Sequence, residues 1–268
     1  MRHVGQRVAG RQLLSGITFS VLPGETAGLL GPSGSGKSTL LRACCGLTRP
    51  SDGEILLDGQ VLHQHRAAWR TRLGYVPQDD ILHTGLTVRR AVSYAARLRL
   101  PATLPAAERE AVVERALRRV GLSERADVRI ARLSGGQRKR ASVAGELLAS
   151  PAVLFLDEPT SGQDPHLEAS MTALFSDLAA SGTTVVVTTH AMASLDQLDL
   201  VVVLAAGQLV YAGPPEALLE HFRVRAYEGV FRRLAEDDAL TWTQRFRQSH
   251  LYRTYVLDRL RGGGESSP

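Results

Sequence analysis

The chain contains almost no lysine, although it is basic overall. Lys37 and Lys139 are the only lysines among its 32 basic residues, and the formal net charge is +5. Arginine enrichment through genomic base composition explains why lysine is scarce, but it does not explain where the remaining lysines lie. A lysine kept at position 37 suggests that a compact point charge is required there.

Cysteines and long apolar runs are also scarce. The only cysteines, Cys44 and Cys45, are adjacent, so they cannot build a disulfide framework and are typical of a reducing compartment. No apolar run approaches the ~18 residues that a membrane-spanning helix needs, and the first residues lack the apolar core of a signal peptide. We therefore expect a cytoplasmic chain that neither crosses a membrane nor enters a secretory route.

Aromatic residues make up only 5% of the chain, and the arginines form no stripe interleaved with them. Proteins that bind single-stranded nucleic acid stack bases on aromatic side chains. The basic charge could serve nucleic acid, an anionic membrane surface or a small polyanionic ligand. The shortage of aromatics argues against the first of these, and we expect no nucleic-acid partner.

A glycine-rich segment early in the chain carries a phosphate-binding motif. Residues 31–38 fit the pattern of glycine, four residues, then Gly-Lys-Ser. Residues 26–30 predict a buried strand before it, and residues 38–44 predict a helix whose positive N-terminus faces the phosphates. Lys37 would neutralise the β- and γ-phosphates, and Ser38 would ligate Mg²⁺. The predicted nucleotide-binding residues are Gly31, Pro32, Ser33, Gly34, Ser35, Gly36, Lys37, Ser38 and Thr39.

Two carboxylates end an apolar run in the second half of the chain. Residues 153–156 predict a buried strand, and Asp157 and Glu158 follow it. Ligands of open parallel sheets bind at the carboxyl ends of strands, so Asp157 lies where a magnesium-bound water needs an acceptor. Successive side chains diverge at a strand end, which lets Glu158 polarise the attacking water. By the same rule His190, at the end of the predicted strand 183–189, lies near the γ-phosphate.

A third motif has no phosphate loop beside it in the sequence. Residues 133–137 precede a helical pattern over residues 137–149. Backbone amides at the start of a helix lack intrahelical acceptors and bind anions. A phosphate bound here would then come from a second copy of the chain. The residues predicted to bind this phosphate from a second copy of the chain are Ser134, Gly135, Gly136 and Gln137.

Together these motifs resemble the nucleotide-binding domain of ATP-binding cassette (ABC) transporters over nearly the whole chain. Residues 133–137 match the signature motif of that family, and residues 161–164 match its D-loop. Gln78 matches the Q-loop glutamine, and His190 matches the switch histidine. The resemblance implies a head-to-tail homodimer that sandwiches ATP, a transmembrane permease as partner, and a peripheral place on the inner face of the cell membrane.

The resemblance also implies an ATP hydrolase with Mg²⁺ as cofactor. Its catalytic residues would be Glu158, His190 and Gln78. Its metal would be held by Ser38, Gln78 and Asp157.

Within the family, the chain is most similar to the G-type branch and to bacterial ABC-2-type exporters fused to a forkhead-associated domain. This similarity rests on residues 74–89, 135–142 and 213–222. Two positions depart from the family pattern. Gln163 replaces the usual D-loop leucine, and residues 4–10 contain no aromatic side chain on which adenine could stack. We therefore expect loose selectivity between ATP and GTP.

The patterns predict an α/β fold, namely a P-loop NTPase core with a mixed, largely parallel sheet. An antiparallel β part opens the chain, an α-helical subdomain is inserted at about residues 85–149, and a helix spans residues 165–180. We assign residues 1–222 to the ATP-binding domain and residues 223–268 to a C-terminal helical extension or linker. That extension either packs on its own domain or leads towards a membrane domain.

Two other functions fit the same motifs. The first is a soluble ABC ATPase that acts on nucleic acid or ribosomes, but such proteins usually carry coiled coils, zinc modules or tandem cassettes, and the sequence shows none of them. The second is a nucleotide-dependent binding module without useful turnover. The complete set of catalytic residues argues against that second alternative.

Overall fold

The computed structural model describes residues 1–79, 81–161, 165–190, 192 and 194–262 of the 268-residue chain. Its strands are β1 Arg2–Val8, β2 Arg11–Ile17, β3 Thr26–Leu30, β4 Asp52–Glu54, β5 Leu56–Leu57, β6 Gln60–Val61, β7 Leu73–Val76, β8 Val153–Leu156, β9 Thr184–Thr188, β10 Leu200–Ala205 and β11 Gln208–Gly213. Its helices are α1 Lys37–Cys44, α2 Arg66–Trp69, α3 Val88–Arg99, α4 Ala106–Arg119, α5 Gly135–Leu147, α6 Pro165–Ala180, α7 Pro215–Phe222, α8 Gly229–Leu234, α9 Ala239–Arg247, α10 His250–Tyr252 and, after a π-helical turn Arg253–Asp258, α11 Arg259–Gly262.

A six-stranded sheet in the order β11-β10-β3-β9-β8-β7 forms the centre of the fold. The pairings from β10 to β7 are parallel, and β11 pairs antiparallel with β10, which confirms the predicted mixed sheet. Every residue of β3, β9 and β10 is buried, as is typical of parallel strands covered on both faces. Because β3, β9 and β8 are neighbours, the loops that leave their carboxyl ends meet at one edge of the sheet.

A separate antiparallel sheet, in the order β2-β1-β4, contains the opening strands of the chain, as predicted. A short hairpin follows, in which β5 pairs with β6. Its turn residues Asp58 and Gly59 have φ values of 46° and 75°. Positive φ at both central positions is the requirement of a type I′ turn, which matches the right-handed twist of the strands.

The helices α3, α4 and α5 lie between β7 and β8 in the chain and pack on one another, which confirms the predicted helical insertion. Glu146 on α5 joins them to the sheet. One of its carboxylate oxygens accepts the Tyr75 backbone N–H at 3.1 Å, and the other pairs with Arg99 on α3. Burial raises the pKa of Glu146, and the Arg99 charge and the Tyr75 amide offset part of that rise.

The C-terminal helices pack on the domain that precedes them. The helices α9 and α10 contact β11, and Trp242 and Phe246 are buried. The Phe246 ring lies 6.0 Å from that of Tyr211 on β11, and Arg259 pairs with Glu25, just before β3, at 2.8 Å. These contacts favour an extension that packs on its own domain over one that leads towards a membrane domain. The boundary between domain and extension at residue 223 stays a prediction. None of the helices in the described ranges combines the length and apolarity that crossing a bilayer requires.

The two cysteines are expected to be chemically inert in the folded protein. Burial raises the pKa of the Cys44 thiol to about 12 and that of Cys45 to about 11, so both stay protonated at physiological pH. We expect iodoacetamide to leave both unmodified in the native protein at neutral pH and to modify both after unfolding in guanidinium chloride. Mass spectrometry of the peptides measures this, and rapid labelling of native Cys44 would contradict its buried position.

Candidate active site

The phosphate loop connects β3 to α1, in the strand–loop–helix order that the sequence indicates. Gly31, Gly34 and Gly36 have φ values of 149°, 77° and 103°. A Cβ at Gly31 would lie 2.2 Å from the Leu204 carbonyl oxygen, and one at Gly36 would lie 2.6 Å from Leu14 Cδ2. A Cβ at Gly34 would meet nothing within 4 Å, so glycine is needed there for its backbone conformation alone.

Lys37 begins α1, and its ammonium group turns back over the loop. Its Nζ donates hydrogen bonds to the carbonyl oxygens of Gly31 at 2.8 Å and Pro32 at 3.2 Å. Burial lowers the pKa of Lys37, and the negative charges of Glu158 and Asp157 offset part of that effect. The loop therefore holds a positive charge at its centre, as a site for phosphate groups requires.

Asp157 follows β8 and is 2% exposed. Its Oδ1 accepts hydrogen bonds from the hydroxyls of Ser38 and Thr188, both at 2.9 Å, and its Oδ2 accepts one from Tyr75 at 3.5 Å. The structure thus brings Ser38 and Asp157 together from positions 119 residues apart. Hydroxyl and carboxylate oxygens are the hard ligands that Mg²⁺ prefers, so this pair fits the implied metal.

Glu158 forms a second cluster beside that pair. Its Oε1 accepts a hydrogen bond from His190 Nε2 at 2.9 Å, and its Oε2 accepts one from Gln78 Nε2 at 3.2 Å. An ionised carboxylate only accepts, so the Nε2 of His190 carries the proton in this contact. The Glu158 side chain is 17% exposed and that of His190 is 44% exposed. Three separate segments of the chain therefore meet around one carboxylate that solvent can reach, and Gln78 contacts this carboxylate rather than the Ser38–Asp157 pair.

Thr188, which the sequence patterns did not single out, links the two clusters. It ends β9 and is fully buried. Its hydroxyl donates to Asp157 Oδ1 at 2.9 Å and accepts the Glu158 backbone N–H at 2.7 Å. In the sequence it is one more β-branched residue of an apolar strand, and its role depends on a contact across the sheet. No local signal could have found it.

Lys139, also absent from the predicted site, connects the signature helix to the Q-loop segment. It lies on α5, is 5% exposed, and its Nζ donates to the carbonyl oxygens of Gln78 at 2.8 Å and Pro77 at 3.2 Å. One signal was available, because lysine is otherwise nearly absent from the chain. The two lysines therefore hold the backbones of two loops of the same site.

The signature residues begin α5, at the surface of the helical subdomain. Ser134 and Gln137 form a capping box, in which the Ser134 Oγ accepts the Gln137 N–H at 3.2 Å and the Gln137 Oε1 accepts the Ser134 N–H at 3.1 Å. Ser134 and Gly135 are exposed, and Gly136 is buried. The first amides of the helix have no intrahelical acceptor and lie at the positive end of its dipole. The positive end of the α5 dipole therefore lies at the protein surface.

Parts of two predicted motifs lie outside the described residues. They are residues 162–164 of the D-loop, including Gln163, and residue 80 of the Q-loop segment.

Comparisons with known proteins identify the family of the chain. The family model described as ABC transporter matches residues 14–161. An ABC transporter ATP-binding/permease protein of Mycobacterium tuberculosis is 43% identical over 228 residues, which cover 85% of this chain and 26% of that protein. The ABC transporter G family member 22 of Arabidopsis thaliana is 36% identical over 79% of this chain and 29% of its own. The Nod factor export ATP-binding protein I of Burkholderia lata is 37% identical over 82% of this chain and 71% of its own.

The chain thus spans less than a third of the first two relatives. Among solved structures, cbiO1 from Clostridium perfringens, part of the ABC transporter complex cbiONQ, is similar with a TM-score of 0.75 and 29% identity. That similarity covers 91% of this chain and 96% of the other, and it confirms the predicted fold. The chain therefore belongs to the ABC transporter family, as an ATP-binding domain of the ATP-hydrolysing kind.

Proposed function

We propose that this domain hydrolyses ATP at the Glu158 cluster to drive a transporter of the ABC-2 exporter type. It would act as a head-to-tail homodimer, coupled to a transmembrane permease at the inner face of the cell membrane. The observation that carries the proposal is the convergence of Gln78 and His190 on the Glu158 carboxylate, beside a hydrogen-bonded Ser38–Asp157 pair.

The phosphate loop would bind the triphosphate of ATP. Its backbone amides and the N-terminus of α1 favour an anion. On binding, Lys37 would exchange its bonds to the Gly31 and Pro32 carbonyls for bonds to phosphate oxygens. Ser38 and Asp157 would hold Mg²⁺, with Gln78 completing the set of protein ligands. When bound, that ion neutralises charge on the β- and γ-phosphate oxygens.

Glu158 would act as the general base. Each oxygen of its carboxylate accepts one hydrogen bond in the structure and keeps a further lone pair for the proton of the attacking water. On ATP binding, the Nε2–H of His190 would exchange its bond to Glu158 for one to the γ-phosphate, since the strands that precede the phosphate loop, Glu158 and His190 end at the same edge of the sheet. Gln78 would orient the attacking water and would connect the active site to the Q-loop segment.

The second half of each site would come from a second copy of the chain. Ser134, Gly135, Gly136 and Gln137 present a helix N-terminus at the surface, where it is open to an anion from another molecule. The hydrogen bonds of the Ser134 and Gln137 side chains in this structure are to each other. A capped helix end of this kind is ready to receive a γ-phosphate without refolding.

The permease partner and the direction of transport are inferred from the relatives. The M. tuberculosis relative is named as both ATP-binding and permease protein, and the B. lata relative is named for export. All three relatives are named as transport proteins, which favours the transporter over the nucleic-acid alternative. The association with a forkhead-associated domain remains a prediction. The adjacent coding sequence in the genome tests it, because such a domain and membrane spans would be encoded there.

The direct test of the function is release of inorganic phosphate from ATP by the purified domain. We expect hydrolysis that requires Mg²⁺, stops when EDTA is added, and rises more steeply than linearly with protein concentration because the active species is a dimer. Folded protein that binds ATP but releases no phosphate, alone or with its permease, would refute the proposal.

Nucleotide selectivity is expected to be weak. Residues 4–10, which comprise most of β1 and the turn after it, contain no aromatic ring. A site that lacks this aromatic ring loses one means of discriminating between purines, so we expect kcat/KM for ATP to exceed that for GTP by less than about tenfold. Steady-state phosphate release with each nucleotide measures this ratio. A much stronger preference for ATP would reveal adenine recognition from another part of the chain.

A further inference from the structure

We propose that Thr188 is a positioning residue for hydrolysis, whose hydroxyl fixes Asp157 and Glu158 relative to each other. This inference rests on the function proposed above, because it gives Thr188 a part in the same reaction. Thr188 touches neither substrate nor metal in this proposal. It would act through the two acidic residues on which its hydrogen bonds converge.

The bonds around the Thr188 hydroxyl have a defined direction. A hydroxyl has one proton to donate, and the carboxylate of Asp157 can only accept it. The oxygen of the same hydroxyl then accepts the Glu158 backbone N–H, at 2.7 Å. The hydrogen bonds therefore run from the Glu158 amide through Thr188 to Asp157 Oδ1. Thr188 is fully buried, so the loss of its hydroxyl would leave its partners without a ready substitute from solvent.

The register of the sheet places Thr188 beside the acidic pair. The strands β8 and β9 are parallel, and Leu156 pairs with Val187. The next residues are therefore Asp157, directly after β8, and Thr188, the last residue of β9. The preceding residues Val185 to Val187 are buried and apolar. After three valines, the hydroxyl of Thr188 thus lies at the end of the strand where it meets the two carboxylate-bearing residues.

The backbone of Glu158 gives this contact a further consequence. Glu158 has a φ of 44°, a left-handed conformation that residues with a side chain rarely adopt. That conformation turns the chain away from β8 and aims the carboxylate at Gln78 and His190. The bond from the Glu158 N–H to Thr188 holds the amide at this turn. Its loss would allow the backbone to relax and the carboxylate to leave its position.

Asp157 would also be held less firmly. Without Thr188, the side-chain hydrogen bonds that its carboxylate keeps among the described residues are those from the Ser38 hydroxyl at 2.9 Å and the Tyr75 hydroxyl at 3.5 Å. The Thr188 hydroxyl bonds to Asp157 and Glu158, whereas Lys37 of the phosphate loop bonds to the carbonyls of its own loop. Loss of the Thr188 hydroxyl should therefore impair the chemical step and the response to Mg²⁺, and spare the affinity for ATP.

The test is Thr188→Val, which keeps the shape of the side chain and removes the hydroxyl. We expect kcat to fall by about tenfold to hundredfold, since small misplacements of catalytic groups have effects of that size. The KM for ATP should stay within about twofold of wild type, because an interaction used only in the chemical step lowers kcat and leaves binding alone. The Mg²⁺ concentration for half-maximal rate should rise. Thr188→Ser, which restores the hydroxyl, should recover most of kcat.

Thr184→Val is the matched control. Thr184 is a buried threonine at the other end of the same strand, and its Oγ1 accepts the Gly24 N–H at 3.1 Å. This variant removes a buried hydroxyl of β9 away from the acidic pair, and we expect wild-type kcat. A fall in kcat as large as that of Thr188→Val would mean that any buried hydroxyl of the strand matters equally, and it would overturn the inference.

The remaining outcomes separate this inference from the proposed function. Wild-type kcat in Thr188→Val, or equal losses of kcat in Thr188→Val and Thr188→Ser, would overturn the positioning role. The proposed function would still stand in that case if Glu158→Gln is inactive, because that loss shows that hydrolysis depends on Glu158. Absence of ATPase activity in wild-type protein would refute the function itself. If Thr188→Val does not fold, the rate of hydrogen exchange of the Glu158 backbone amide in the wild-type protein is measured in place of the kinetics of that variant. Protection of that amide supports its bond to Thr188, and rapid exchange excludes that bond.

Discussion

Glu158→Gln is expected to lower the rate of ATP hydrolysis by a factor of about 10² to 10⁴, the range that a general base contributes. Glutamine has nearly the shape of glutamate, so its carbonyl oxygen still accepts the His190 Nε2–H. An amide cannot take a proton from water at neutral pH, however, and the attacking water loses its base. ATP binding depends on the phosphate loop rather than on Glu158, and it should persist.

The variant should therefore accumulate in the ATP-bound, closed dimer. Phosphate release gives the rate, and size-exclusion chromatography with light scattering gives the mass with and without ATP and Mg²⁺. Glu124→Gln is a suitable control, because Glu124 is an exposed glutamate in the 3₁₀ turn Ser123–Arg125. Normal turnover in Glu158→Gln would remove Glu158 from the role of base. If Glu158→Gln stays strictly monomeric at saturating ATP, the proposed ATP-dependent homodimer is wrong.

Ser134→Asp is expected to abolish ATP-dependent dimerisation and with it nearly all turnover. Aspartate caps a helix about as well as serine does, so α5 should keep its first turn and the domain its stability. The added negative charge would face the γ-phosphate of the partner subunit across a closed interface, where like charges are costly. We expect turnover to fall by at least about a hundredfold, close to the loss expected for Glu158→Gln.

Ser134→Asn is the matched variant, because asparagine also caps helices well but carries no charge. It should dimerise and retain much of the activity, and both variants should melt at the wild-type temperature. Placing Ser134→Asp in the Glu158→Gln background gives the sharpest measurement, since the stalled dimer should then disappear. If the double variant forms ATP-dependent dimers as readily as Glu158→Gln does, α5 does not receive the partner's phosphate.

Several elements could be predicted with their bounds from local patterns. The strand β8, Val153–Leu156, and the helix α6, Pro165–Ala180, begin and end at the predicted residues. Each has a local stop or start signal, because polar acids follow the apolar run of β8 and a proline begins α6. Site residues at strand ends could be predicted as well, because the position of a ligand edge follows from the sheet type.

The contacts that assemble the site could not be predicted. The bonds of Thr188 to Asp157 and Glu158 span 31 and 30 residues, and those of Lys139 to Gln78 and Pro77 span 61 and 62. They depend on the register of β8 against β9 and on the packing of α5, which no single stretch of sequence encodes. The left-handed backbone of Glu158 is likewise a tertiary effect, since a glutamate alone does not favour it.

The positions of the two lysines also determine how readily reagents and enzymes can modify the side-chain amines of this protein. Lys37 and Lys139 are each 5% exposed, so the cationic surface consists of arginine, which acylating reagents and lysine-modifying enzymes do not use. Acetylation, ubiquitination or ester coupling therefore finds no side-chain amine on the outside of the fold. Acylation of Lys37 requires its loop to open first, so the rate of that modification measures how often the loop opens.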